Sequence, residues 1–126
     1  MITEQWVRGT LWLSFPFNLI AAYGLFLPAS FVGQLIGLPT EVPLAYAALL
    51  SYMVLVFGFV YAWLATNAVI NKPLLFVGCV GKGGVFLITG VLCLLGAAPG
   101  AAVLVASGDL AFATIWGLWL WNTRQS

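Results

Sequence analysis

The chain has 126 residues, of which 63% are hydrophobic and 6% are charged, and its formal net charge is +1. A water-soluble domain carries about 25% charged residues, so this composition excludes a soluble globular protein and predicts a single integral membrane domain. The near-neutral charge gives no reason to expect a nucleic-acid partner. The chain has no histidine and its three acids are scattered, so we predict neither a metal site nor a cofactor.

Four apolar segments follow one another along the chain, each with about 20 residues, which is enough for a helix to cross hydrocarbon. None of them shows the period-2 alternation of a membrane barrel strand. The sequence therefore predicts an all-α, up-and-down four-helix bundle that spans the membrane as one domain. The predicted spans are residues 6–27, 44–64, 74–95 and 101–121.

Local features add detail to this outline. Pro16 lies inside the first span and predicts a kink there. The connection over residues 28–43 is the longest one, and its part from 31 to 38 is typical of a short amphipathic turn at the membrane interface. The two later connections are short, so consecutive spans are expected to be antiparallel neighbours.

The basic residues at or beyond the ends of the spans predict the orientation of the chain. Four spans put both termini on one side, and Arg8, Lys72 and Arg124 all fall on that side, whereas Glu41 falls on the other. The positive-inside rule therefore predicts that both termini are cytoplasmic. Arg8 is expected to reach lipid phosphates or to pair weakly with Glu4, four residues earlier.

Lys82 is the most informative residue, because it lies within an apolar span. A cation at that depth costs about 2.5–3.5 kcal/mol on insertion scales. Asp109, in the fourth span, is the only acid placed to offset this cost. Counting 1.5 Å per residue puts both residues at similar depths, with Asn18 and Tyr52 near the same level. We therefore predict one interior polar site formed by Lys82, Asp109, Asn18 and Tyr52.

Three interpretations of the Lys82–Asp109 pair remain open from the sequence. The pair could lock the third span against the fourth, orient the polar head of a lipid-like or quinone-like ligand, or form part of a proton or substrate path. The glycines Gly78, Gly81 and Gly84 predict close helix packing, with a ligand cavity beside Lys82 as the alternative. No residue set typical of catalysis is present, so we do not expect an enzyme.

Several short motifs give the chain a resemblance to a known family. Arg8, the Gly81-Lys82 pair, the stretch 108–113 and the stretch 35–39 resemble small bacterial four-span membrane proteins of the DoxX-like family. The resemblance implies a place in the bacterial cytoplasmic membrane and, for some members, association with quinone-linked respiratory or sulfur-oxidising complexes. It does not extend to a carboxylate in the second span, which this chain lacks.

The functional prediction follows from these observations together. We expect a non-catalytic membrane protein that binds a lipid-like or quinone-like molecule, or an accessory subunit of a larger respiratory or redox membrane complex. The expected partners are membrane lipid, such a ligand, and a larger complex or further copies of the chain. The alternative is a small proton-coupled transporter that uses Lys82 and Asp109.

Overall fold

The computed structural model describes residues 1–124, and within that range the chain forms five α-helices and no strand. Four of the helices have 23 residues each and are long and apolar enough to cross a membrane. Their bounds lie within two residues of the predicted spans, and the prediction of an all-α four-helix membrane bundle is confirmed. The helices are α1 (Glu4–Phe26), α2 (Phe31–Ile36), α3 (Leu44–Thr66), α4 (Lys72–Leu94) and α5 (Gly100–Asn122).

Polar caps explain where three of the helices begin. The side chains of Thr3, Ser30 and Asn71 each accept a hydrogen bond from the backbone N–H three residues later, at 3.4, 3.1 and 3.0 Å. Such caps satisfy N–H groups that have no partner within the helix. Gly37 ends α2 in the left-handed conformation, with φ of 80°, which glycine adopts without steric cost.

The long helices pack as two pairs. α1 lies against α3 and α4 lies against α5, and the pairs meet through contacts of α1 with α5 and of α3 with α4. The predicted amphipathic turn is the short helix α2, which packs against α1 and α5. Fully buried side chains fill the junction of the two pairs, and the largest of them are Val7, Leu11, Leu64, Leu75 and Trp116.

Of the glycines expected to mediate helix packing, only Gly78 does so. A Cβ atom at Gly78 would lie 2.9 Å from Cε1 of Tyr61 and 3.4 Å from Cζ3 of Trp116. A Cβ atom at Gly81 or Gly84 would meet no atom within 4 Å. The packing prediction is therefore wrong for Gly81 and Gly84 within this chain, because the rotation of about 100° per residue turns them away from the neighbouring helices.

Arg8 fastens the end of the bundle at which both termini lie. Its guanidinium donates hydrogen bonds to the carbonyl oxygens of Ala65 (2.9 Å), Asn67 (2.6 Å) and Ala68 (3.0 Å). Ala65 lies in the last turn of α3, Asn67 is the C-cap and Ala68 follows it; at such a helix end the carbonyls lack intrahelical partners and attract positive charge. The expected pair with Glu4 is also present, at 3.0 Å. Arg8 thus ties α1 to α3.

Removing this guanidinium should destabilise the bundle. We expect Arg8→Met to lower the free energy of unfolding by about 1–3 kcal/mol, since hydrogen bonds to a charged group are lost. Arg8→Lys should recover only part of this stability, because an ammonium lacks the planar fork of a guanidinium. Thermal unfolding in detergent measures both. The control is Arg124→Met. The Arg124 guanidinium lies 3.7 Å from the centroid of the Trp121 ring, only three residues away, so this contact does not tie two helices together. Equal losses for Arg8→Met and Arg124→Met would contradict the interpretation.

Candidate functional site

The ammonium group of Lys82 lies at the junction of the two helix pairs. Its Nζ is 2.8 Å from Oδ1 of Asp109 and 2.9 Å from Oδ1 of Asn18. Lys82 is 3% exposed, so the cation is removed from the surroundings of the bundle. Three residues predicted from the sequence are thus brought together by α4, α5 and α1.

Three aromatic rings complete the surroundings of the ammonium. The ring centroids of Phe17, Tyr61 and Phe112 lie 5.0, 5.1 and 5.1 Å from Nζ of Lys82, within the range of cation–π attraction. We call these three rings the aromatic cage. Because Tyr61 belongs to α3, every long helix supplies at least one group to the site. The cage compensates part of the cost of burying the charge.

The aromatic cage was not predicted from the sequence, although the positions of two of its members relative to Asn18 and Asp109 indicate that they lie near the site. Phe17 precedes Asn18 directly, and Phe112 is three residues after Asp109, on the same side of its helix. Tyr61 carried no such signal, because α3 provides no charged neighbour from which to count. Its place depends on Gly78, whose missing side chain leaves room for the ring.

Tyr52 is not part of the site, which corrects the sequence-based prediction. Its side chain lies on the outside of the bundle and is 61% exposed. Tyr52 and Tyr61 are nine positions apart in α3, which corresponds to a rotation of about 180° at 3.6 residues per turn. Depth along a helix does not define the face on which a residue lies, and Tyr52 lies on the face opposite to Tyr61.

Asn18 connects three helices through its amide. Its Oδ1 accepts the hydrogen bond from Lys82, and its Nδ2 donates to the backbone carbonyl of Val54 at 3.0 Å. A Cβ atom at Gly58 would lie 3.0 Å from Cβ of Asn18, so a glycine is what allows α1 to approach α3 here. The amide is therefore held in one orientation, with its oxygen toward the cation.

The carboxylate of Asp109 is the more open member of the pair. Its side chain is 13% exposed, whereas that of Lys82 is 4% exposed. Oδ1 accepts the hydrogen bond from Lys82, and Oδ2 accepts none from residues 1–124. Since an ionised carboxylate can accept several hydrogen bonds, Oδ2 retains capacity for a donor that approaches from outside the cage.

An apolar groove of about 380 Å³ runs between α4 and α5. Phe86, Gly90 and Cys93 form part of its α4 wall, and Val103 contributes from α5. These α4 residues follow Lys82 by 4, 8 and 11 positions and lie on its side of the helix. The α4–α5 groove therefore begins about 6 Å, one helical turn, beyond Lys82. The rest of the α4 lining is exposed, so the groove opens to the outside of the bundle; these residues are Leu87, Val91 and Leu94.

Metal binding finds no support in the part of the chain that the structure describes. Across residues 1–124, no three or more His, Cys, Asp or Glu side chains come together in a way that could hold an ion.

Fold and site together define the class of this protein, which is an all-α, four-helix membrane bundle with one buried cluster of charged, amide and aromatic groups. A comparison of the chain with protein-family models, with curated proteins and with solved structures finds no match.

Proposed function

We propose that this protein is a non-catalytic component of the bacterial cytoplasmic membrane that binds a lipid-like or quinone-like molecule. The polar head of that molecule would hydrogen-bond to Asp109, and its apolar part would lie in the α4–α5 groove. One observation carries the proposal: the partly exposed carboxylate of Asp109 and an apolar groove belong to the same helix pair, and Phe86 of the groove lies one turn beyond Lys82 on α4.

The chemistry of Asp109 favours a neutral head that donates a hydrogen bond. Lys82 already balances the charge of the carboxylate, so a second cation would be repelled by the ammonium at 2.8 Å from Oδ1. A hydroxyl, as in a quinol or a lipid head, adds no charge. Its hydrogen bond to Oδ2 would be strengthened by the low dielectric of the membrane interior.

The groove fits the apolar part of such a molecule. Ligand sites are typically concave and mostly apolar, have volumes of about 300–1,000 Å³, and contain few polar groups that fix orientation. The α4–α5 groove has about 380 Å³ and lies toward the end of the bundle that is opposite the termini. A bound amphiphile would extend from mid-depth into that half of the membrane.

The orientation of the protein in the membrane and its role in a larger complex are part of the same proposal. Arg8, Lys72 and Arg124 lie at one end of the bundle, and the positive-inside rule would place this end, with both termini, in the cytoplasm. The resemblance to DoxX-like proteins suggests an accessory role in a larger respiratory or redox membrane complex. In that role the bound molecule would be shared with the partner.

Filling the groove tests the binding proposal. A Cβ atom at Gly90 would meet no atom within 4 Å, so Gly90→Leu should fold normally and place a leucine side chain in the groove. We expect the amount of co-purifying amphiphile per protein to fall about tenfold, which corresponds to about 1.4 kcal/mol of lost affinity. Mass spectrometry of protein extracted in native lipid particles measures this amount.

The matched control is Gly84→Leu, in the same helix. A Cβ atom there also has open space, but Gly84 is two positions from Lys82 and so faces almost the opposite direction. We expect its amphiphile content to equal that of the wild type. A wild-type protein with no molecule enriched above the bulk lipid, or equal retention in both variants, would refute the proposed function.

A further inference from the structure

Ser14 presents a buried hydroxyl group for which the chain supplies no partner. The residue is 0% exposed, and its Oγ forms no hydrogen bond with any other residue in the range 1–124. A serine in a helix can bond to a carbonyl of its own preceding turn, as Thr10 does to Trp6 and Val7, but Ser14 does not. A buried hydroxyl without a partner costs about 1–3 kcal/mol, and native proteins rarely leave one unpaired.

The surroundings of Ser14 offer polar atoms at the right spacing. Thr10 and Asn18 lie four residues before and after it, so the three side chains follow one face of α1 at intervals of about 6 Å. Oγ1 of Thr10 accepts from Nε1 of Trp116 at 2.9 Å, and Oδ1 of Asn18 accepts from Lys82. Both oxygens keep a lone pair for one further donor.

We propose that Ser14 binds a buried water molecule that bridges it to the Asn18 amide oxygen. Two hydrogen bonds of about 2.8 Å that meet at water's near-tetrahedral angle join oxygens about 4.5 Å apart, and side chains one turn apart on a helix face, with Cβ atoms about 5–6 Å apart, are close enough for such a bridge. A buried water needs two to four polar partners, and Ser14 and Asn18 provide two. No residue from the aromatic cage is required for this site.

The bound water changes the chemical nature of the Lys82 site. Asn18 would then connect the ammonium to a solvent molecule on the side of the bundle that carries the termini. The charged cluster would then contact water through α1, whereas the carboxylate of Asp109 is itself 13% exposed. This inference does not depend on amphiphile binding in the α4–α5 groove.

Water-edited solid-state NMR of the Asn-labelled protein in lipid bilayers tests the proposal. We expect magnetisation transfer from water to the side-chain amide of Asn18, although Asn18 is only 6% exposed. Ser14→Ala should abolish this transfer. Ser107→Ala is the matched control and should preserve it, because Ser107 is exposed and its hydroxyl donates to Leu104 of its own helix.

The thermal midpoint gives a second, independent measurement. If a water molecule satisfies Ser14, Ser14→Ala should lower the midpoint, because a hydrogen-bonded network is lost. If the hydroxyl is dry, the same substitution should raise the midpoint, because an unsatisfied group is removed. Absence of transfer to Asn18 in the wild type, or transfer that persists in Ser14→Ala, would overturn the proposal.

Discussion

Replacing Asp109 with leucine should destabilise the bundle more than any other single change at the site. The substitution leaves the Lys82 ammonium buried with only the Asn18 oxygen and the aromatic cage around it. Removing one partner of a buried ion pair costs about 3–5 kcal/mol, and Lys82 is the more deeply buried of the two. Lys82→Met should cost less, because the carboxylate it leaves behind is partly open. Unfolding in SDS titrations and thermal scans measures both losses.

The double variant Lys82→Met/Asp109→Leu separates the open interpretations of the pair. It removes both charges and leaves apolar side chains of similar size, so we expect it to be more stable than Asp109→Leu by about 2 kcal/mol or more. Losses that simply add in the double variant would show that the two groups are not coupled.

The amount of amphiphile retained by this double variant then bears on function. If the double variant is stable and still retains the bound molecule, the pair only holds the helices together and Asp109 does not bind the head. If it is stable and loses the molecule, the charged pair is needed for binding. The measurement uses the same native lipid particles as the groove experiment, so stability and binding are compared in one preparation.

Introducing a side chain at Gly78 should have the second large effect. A Cβ atom there would lie 2.9 Å from the Tyr61 ring and 3.4 Å from the Trp116 ring. Trp116 is 0% exposed and Tyr61 is 3% exposed, so neither ring can move aside without disturbing the core. We expect Gly78→Leu to lower the free energy of unfolding by about 3 kcal/mol, at the upper end of overpacking effects.

Gly81→Leu is the matched control for Gly78. Gly81 lies three positions later in α4, and its substitution by leucine makes the same change in helix propensity. A Cβ atom at this position would meet no atom within 4 Å. We expect its thermal midpoint to match or exceed that of the wild type, because leucine is the better helix former. Similar losses at both positions would mean that helix packing is not what requires glycine at position 78.

Sequence and structure contribute differently to the interior site. Lys82 and Asp109 are the one cation and the one acid near the middle of the spans, so charge compensation alone indicated that they meet. Asn18 followed from depth, since it lies near the same level. Tyr52 lies at a similar depth but outside the site, because depth does not define the rotation of a helix, and Tyr61 occupies the inner face of α3 instead. The same reason explains why Gly78 packs against other helices while Gly81 and Gly84 face outward.

The sequence by itself determined the four long helices and their ends. In hydrocarbon every backbone polar group must be paired within the segment, so the length and composition of an apolar run are enough to define a span. Only the tertiary structure decided which face of each helix points inward. The aromatic cage, the unpaired hydroxyl of Ser14 and the α4–α5 groove all depend on how the helices are rotated about their axes. That rotation follows from side-chain packing between helices that are apolar on every side, so no periodic pattern in the sequence reveals it.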